Sequence, residues 1–228
     1  MAALPNNVHV SNHPCLRAKL SQLRSKSTPS KDVKSLVHDI SLIIGCEALA
    51  TAITTAPGPK DVTPLGFEYE TTTIQPNTIS IVPILRSGLG MVDAVQTLLP
   101  DPVAVHHLGL YREPSTLEPV EYYNNLPEHV NSGSGAESPS SLAVIVDPVI
   151  ATGGTCAAAI QTLREWGAQR IIVLSVLGAQ PGLTRAAGEW PEGVEIYVAG
   201  LDEELTAGGM LKPGLGDVGD RLFLTIGK

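Results

Sequence analysis

The sequence predicts an α/β fold: an open, mainly parallel, twisted sheet flanked by helices. Segments such as Ala143–Val146 and Ile171–Leu174 are apolar at every position, so both faces of these strands must be covered, as in parallel sheets with helices on either side. Strand-like and helix-like stretches alternate along most of the chain, the pattern of crossover connections. The length of 228 residues, at roughly 150 residues per domain, suits one large domain or at most two. No internal repeat divides the chain, and residues 1–228 are read as a single domain.

Leu16, Leu20 and Leu23 recur at helical spacing after Pro14. Ser30 is placed to cap a second helix, whose stripe is Val33, Leu36, Val37, Ile40, Ile43 and Ile44. That helix must stop before Pro57-Gly58-Pro59, so residues 1–60 are read as a helical N-terminal extension. Strands are predicted at Glu68–Ile74, Ile79–Leu85, Val103–Leu110, Leu142–Val146, Ile171–Val176 and Glu195–Ala199. Helices are predicted at Leu89–Leu99, Thr155–Trp166 and part of Gly182–Ala187. The low-complexity run Asn131–Ser141 reads as a mobile loop.

With 43% hydrophobic and 17% charged residues, the chain has too much apolar content for bulk disorder. Its formal charge of −8 argues against a general nucleic-acid surface. No apolar run reaches membrane-spanning length and no signal segment opens the chain, so a cytoplasmic protein without a membrane partner is expected. The three cysteines, Cys15, Cys46 and Cys156, show no disulfide framework or zinc spacing. His106 and His107 are expected on opposite faces of one strand. Between Lys60 and Arg164 the only basic side chains are Arg86 and Arg112, each at the end of a predicted strand.

The most informative segment is LAVIVDPVIATGGTCAAAIQTLREW, Leu142–Trp166. A buried strand ends in Asp147, a turn passes through Thr152-Gly153-Gly154-Thr155, and an Ala-rich helix follows. Ligands of open α/β sheets bind beyond the carboxyl ends of strands. Paired glycines let backbone approach a phosphate, and the helix N-terminus favours an anion. Thr152 and Thr155 add hydroxyl donors, while Asp147 can accept from sugar hydroxyls or support a metal. The plain alternative is a strand–turn–helix connection whose glycines serve only the turn. The lysine of a P-loop is missing. Gly214–Gly219 matches GxGxxG but follows no apolar strand, so it reads better as a loop closing over a flat, uncharged ligand.

VDPVIATGGT resembles the donor-binding loop of type I phosphoribosyltransferases, and more narrowly the uracil phosphoribosyltransferase family, with Pro148 in place of the second acid of the usual acidic pair. VPILRSGLGM at Val82–Met91, GLYREPSTLEPVEYYNNLP at Gly109–Pro127, PGLGDVGDR at Pro213–Arg221 and the opening HPCLRAKLSQLR support the narrower match. The resemblance implies a type I phosphoribosyltransferase-like sheet with N-terminal helices and a β-arm, about residues 111–141, over the donor. It implies that uracil and 5-phosphoribosyl 1-diphosphate (PRPP) give UMP and diphosphate in pyrimidine salvage. PRPP would lie on Arg86, Arg112, Asp147, Pro148, Val149, Ile150, Ala151, Thr152, Gly153, Gly154, Thr155 and Asp217. Uracil would lie on Leu211, Gly216, Asp217 and Val218. Asp147, Arg86, Arg112 and Asp217 carry the expected catalytic roles. Mg²⁺ would be held mainly through the substrate, with Asp217 as its protein contact. A GTP activator and a homodimer or homotetramer are further implications.

The chain departs from the family pattern at Ala52–Lys60, at Gly209–Lys212, at Val218 and at Leu224, where Gly is usual. These positions border the base pocket and leave the donor loop intact. Two other functions are consistent with that: a phosphoribosyltransferase for another base, and a donor-binding regulator or low-activity pseudo-enzyme of the same fold.

Overall fold

The computed structural model describes residues 3–113, 116, 118–128 and 138–225. The first elements are β1 (Val8–Val10), α1 (Pro14–Arg24), α2 (Ser30–Ala52), β2 (Thr54–Val62) and β3 (Glu68–Gln75). Then come β4 (Ile79–Leu85), α3 (Leu89–Leu98), β5 (Ala104–Val105), β6 (Leu108–Arg112) and β7 (Pro119–Asn124). The donor-type motif spans β8 (Leu142–Val146), β9 (Val149–Ile150) and α4 (Gly154–Trp166). They are followed by β10 (Ile171–Ser175), β11 (Leu177–Ala179), α5 (Gln180–Ala187), β12 (Val194–Val198), β13 (Leu201–Asp202), β14 (Glu204–Leu205), β15 (Leu211–Lys212) and α6 (Val218–Phe223).

The main sheet runs β1-β12-β10-β8-β4-β6-β7, with the short β5 also pairing β4. All its pairs are parallel except β6–β7. Every residue of β8 and β10 is buried, the consequence of helices on both faces. One apolar layer gathers Leu16, Val33, Ile40, Ile44, Met91 and Leu222 from α1, α2, α3 and α6. The other gathers Ile160, Leu163, Leu183 and Ala186 from α4 and α5. By length and composition α2 could span a bilayer; here its apolar stripe is the core of the first layer. Strand order turns outward from the middle of the sheet, which leaves the carboxyl ends of β4 and β8 side by side.

Several sequence expectations change. The N-cap of α2 is Pro29, not Ser30; Ser30 is the first helical residue, and its hydroxyl donates to the Leu222 carbonyl (3.2 Å). Residues 1–60 are not uniformly helical: β1 pairs in parallel with β12, and helix gives way to strand at Thr54. β2 accepts Pro57 and Pro59 because it belongs to a two-stranded ribbon with β3, each strand of which is an edge. The strand expected over Val103–Leu110 breaks into β5 and β6, so His106 and His107 sit between strands. There His106 meets Trp166 edge-on (5.3 Å between ring centres), and burial holds its imidazole below the usual range. Within the expected mobile arm, β6 and β7 form an antiparallel hairpin. Residues 131–137 of the loop lie outside the described residues, while Ser138 donates to the Gly167 carbonyl (2.7 Å).

Candidate active site

A cleft of about 500 Å³ opens at the carboxyl ends of β4 and β8. Three segments form its walls: Ile84–Ser87 after β4, Asp147–Cys156 after β8, and Met210–Gly219 running from β15 into α6. Tyr111 and Tyr122 of the β6–β7 hairpin close one side.

The β8 segment places its polar groups by backbone packing. Gly153 sits at φ 79°, and a Cβ there would collide with the Gly182 carbonyl oxygen of α5; a Cβ on Gly182 would collide with the Ala151 carbonyl. The turn is thus locked against α5 by two reciprocal close approaches that only glycine permits. Gly153 is the N-cap of α4, so the orphan N–H groups of the first helical turn lie at the cleft. The hydroxyl oxygen of Thr152 is buried and has no hydrogen-bond partner among the described residues. Asp147 is 7% exposed; Ser87 Oγ and the Val149 N–H both point at its Oδ1 from 3.5 Å. Burial first, and the Asp147 charge second, push the Cys156 thiol well above the usual thiol range.

Arg86 follows a cis Leu85–Arg86 peptide and lines the cleft. Its Nη2 donates to Asp220 Oδ1 (3.1 Å) and its Nη1 to Thr225 Oγ1 (2.9 Å). The guanidinium therefore leans on the first turn of α6 and on the residue Thr225 that follows the helix. Opposite the donor-type loop, the chain crosses a cis Lys212–Pro213 peptide and places Gly214 and Gly216 at φ 70° and 73°. Asp217 caps α6, its Oδ1 accepting from the Asp220 N–H (2.9 Å).

Of the residues expected to hold PRPP, Arg86, Asp147, Val149, Ile150, Ala151, Thr152, Gly153, Thr155 and Asp217 line the one cleft. So do all four expected at uracil: Leu211, Gly216, Asp217 and Val218. Pro148 and Gly154 are not among the lining residues. The Pro148 carbonyl instead accepts from the Val176 and Leu177 N–H groups (3.1 and 3.0 Å), tying the turn to the β10–β11 connection. Gly154, the first residue of α4, faces Arg185 and Pro119. Arg112 is the last residue of β6; its side chain lies outside the described residues. Sequence reasoning missed Ser87, Tyr111, Tyr122, Cys156 and Leu215 as lining residues. Ser87 and Cys156 were legible as neighbours of Arg86 and Thr155; the tyrosines depend on how the hairpin folds back.

A strand-end cleft on a mostly parallel sheet is the usual ligand site of open α/β folds, and the structural neighbours of this chain include type I phosphoribosyltransferases. Adenine phosphoribosyltransferase from Trypanosoma brucei shares the fold at TM-score 0.52 and 18% identity, over 88% of this chain and 86% of that one. The model of the uracil phosphoribosyltransferase family matches residues 10–225, and the chain belongs to that family. It is 42% identical to the uracil phosphoribosyltransferase of Listeria welshimeri, over 96% of this chain and 99% of that one. With the uracil phosphoribosyltransferase of Clostridium botulinum it shares 39%, over 94% and 96%. The AQ2163 protein of Aquifex aeolicus superposes at TM-score 0.83 with 29% identity, over 96% of this chain and 98% of that chain.

Proposed function

We propose that this cleft transfers the phosphoribosyl group of PRPP to N1 of uracil, giving UMP and diphosphate. The observation that carries the reading is that two unlike loops face each other across one cleft. Asp147–Thr155 offers N–H groups, hydroxyls and an orphan Thr152 oxygen suited to a phosphorylated sugar. Leu211–Val218 offers backbone and apolar side chains suited to a flat neutral base.

In the transfer the bond from C1 of the ribose to diphosphate breaks and the bond from C1 to uracil N1 forms. The N1 proton passes to water or to the departing diphosphate, and the electron pair it leaves on N1 forms the new bond. As C1 gains oxocarbenium character the leaving diphosphate gains charge, and positioning of the two reactants supplies much of the rate. Arg86 would face that charge; the N-terminal end of α4 and the threonine hydroxyls would hold the 5′-phosphate. Asp147 would accept from the ribose hydroxyls.

Among the described charged lining residues, one guanidinium, Arg86, stands against two carboxylates, Asp147 and Asp217. A bis-phosphorylated donor carries more negative charge than Arg86 alone balances, and in this reading it arrives as its magnesium complex. Hard carboxylate oxygens suit Mg²⁺, which is commonly bound through one or two carboxylates plus substrate phosphates. Asp217 is the proposed protein contact, with Mg²⁺ supplying charge neutralisation at the leaving group.

The exposed apolar side chains Val62, Leu65 and Phe67 on the β2–β3 ribbon support a homodimer or larger assembly. Activation by GTP and a cytoplasmic location are part of the same reading. The test is UMP formation from labelled uracil and PRPP with and without Mg²⁺, alongside hypoxanthine, adenine and guanine. Turnover with uracil that vanishes on chelation is expected, and Asp147→Asn should lower it by about 10²–10³-fold. Turnover only with a purine, or donor binding with no turnover on any base, would reject the proposal.

A further inference from the structure

The loop facing the donor-type turn is gripped from behind by residues that do not touch the cleft. Asp202, at the end of β13, is 4% exposed. Its Oδ1 accepts from Arg24 Nη2 (2.6 Å), and its Oδ2 accepts from Arg24 Nη1 (3.2 Å) and from the Gly214 N–H (2.8 Å). Arg24 Nη1 also donates to the Gly214 carbonyl (2.9 Å). Both polar groups of one peptide-chain residue are therefore held by the two members of a single ion pair, in a closed ring.

Arg221 repeats the arrangement one residue further on. Its Nη1 donates to the carbonyls of Leu215 and Leu23 (both 2.7 Å), and its Nη2 to the Ser25 carbonyl (2.9 Å). The carbonyls at the end of α1 have no partners within the helix, and Arg221 joins one of them to the loop. The C-terminal end of α1 is thus fastened to Gly214 and Leu215 through two guanidinium groups.

We infer that Arg24, Asp202 and Arg221 are positioning residues that set the shape of the base-reading loop and hence the affinity for uracil. The inference rests on the proposed function for the identity of the base. Gly214 and Gly216 both take positive φ, and glycine reaches other conformations about as readily. A loop that reads a base by its backbone needs that freedom removed. Buried, charge-assisted hydrogen bonds do so more strongly than neutral ones. The donor-type turn receives none of these contacts, being locked by Gly153 against Gly182, so the effect should divide cleanly between the two substrates.

The experiment compares Asp202→Asn, Arg24→Lys and Arg221→Lys with wild type in steady-state kinetics and in hydrogen–deuterium exchange of the ligand-free protein. Asp202→Asn should raise KM for uracil by about 10- to 100-fold, the worth of a hydrogen bond to a buried charge, with KM for PRPP within about twofold. Arg24→Lys keeps the charge but loses the two-nitrogen fork, and should fall between. Arg221→Lys should act in the same direction as Asp202→Asn. In all three, amides of Gly214–Gly216 should exchange faster while those of Ala151–Thr155 do not change. Uracil KM near wild type, or equal rises in both KM values, overturns the inference and leaves the proposed function standing. Unchanged exchange at Gly214–Gly216 overturns it whatever the activity, including in a chain that makes no UMP. If Asp202→Asn does not fold, the two lysine variants decide by the same criteria.

Discussion

Replacing Thr152 with Val separates what the donor-type turn does for stability from what it does for binding. The Thr152 hydroxyl oxygen is buried and without a partner among the described residues, and an unsatisfied buried hydroxyl costs about 1–3 kcal/mol. Valine has nearly the same shape and no polar atom, so the ligand-free protein should gain about 1 kcal/mol, raising Tm by about 2–4 °C for a chain of this size. If the hydroxyl is kept for a phosphate oxygen, the variant loses a hydrogen bond to a charged group, about 1.5–3 kcal/mol. Kd for the magnesium complex of PRPP should then rise about 10- to 150-fold. Thr152→Ser, which restores the donor, should bind within a few-fold of wild type. Thermal melts of the free proteins and titration calorimetry with the magnesium complex measure the two sides. A valine variant that binds PRPP as wild type does would refute the reasoning, as would one that melts lower. The opposite signs make this test specific, because general damage to the turn lowers both quantities.

Gly153→Ala should cost at least about 2 kcal/mol, because it combines a left-handed φ with a collision against backbone; a thermal melt at the wild-type Tm would count against the locked turn. Leu224 occupies the left-handed region at φ 56° with its side chain exposed, so Leu224→Gly should stabilise by about 1 kcal/mol, seen as a Tm rise of about 2–4 °C. Cys15 and Cys46 are exposed and Cys156 is buried, with its thiol held protonated by burial and by Asp147. Iodoacetamide at pH 8 should therefore modify the first two in the native protein and Cys156 only after denaturation, as read by peptide mass spectrometry.

What was legible in the sequence was whatever a local pattern carries. Ala143–Val146 and Ile171–Leu174 announce buried parallel strands because every position is apolar, and the Thr-Gly-Gly-Thr turn announces the strand-to-helix turn that the structure places at the cleft. Pairings across long separations left no such trace. β1 is three residues long and is a strand only because Val8–Val10 lies beside Ile196–Val198. The prolines that argued for a break at residue 57 are tolerated because the ribbon has no interior strand. Arg24 and Asp202 are 178 positions apart, and nothing in either neighbourhood marks them as a pair. Leu224 could be seen to depart from a usual glycine, but only the backbone shows that the position still takes the glycine conformation.

Of the two arginines that the sequence singled out by their isolation, Arg86 is the one whose side chain is described at the cleft. Arg86 reaches the cleft already leaning on Asp220 and Thr225, so its charge is partly spent within the protein before any ligand arrives. A cleft with two carboxylates in a chain of charge −8 offers little long-range attraction to a free polyphosphate, and at 0.1 M salt such fields fade over about 10 Å. Beside Arg86, recognition in the proposed reading draws on short-range neutral donors fixed before binding: N–H groups of the Gly153–Thr155 turn, hydroxyls, and the end of α4. Such donors select phosphate by geometry and do not hold it by net charge. That arrangement suits a donor whose charge is already lowered by magnesium.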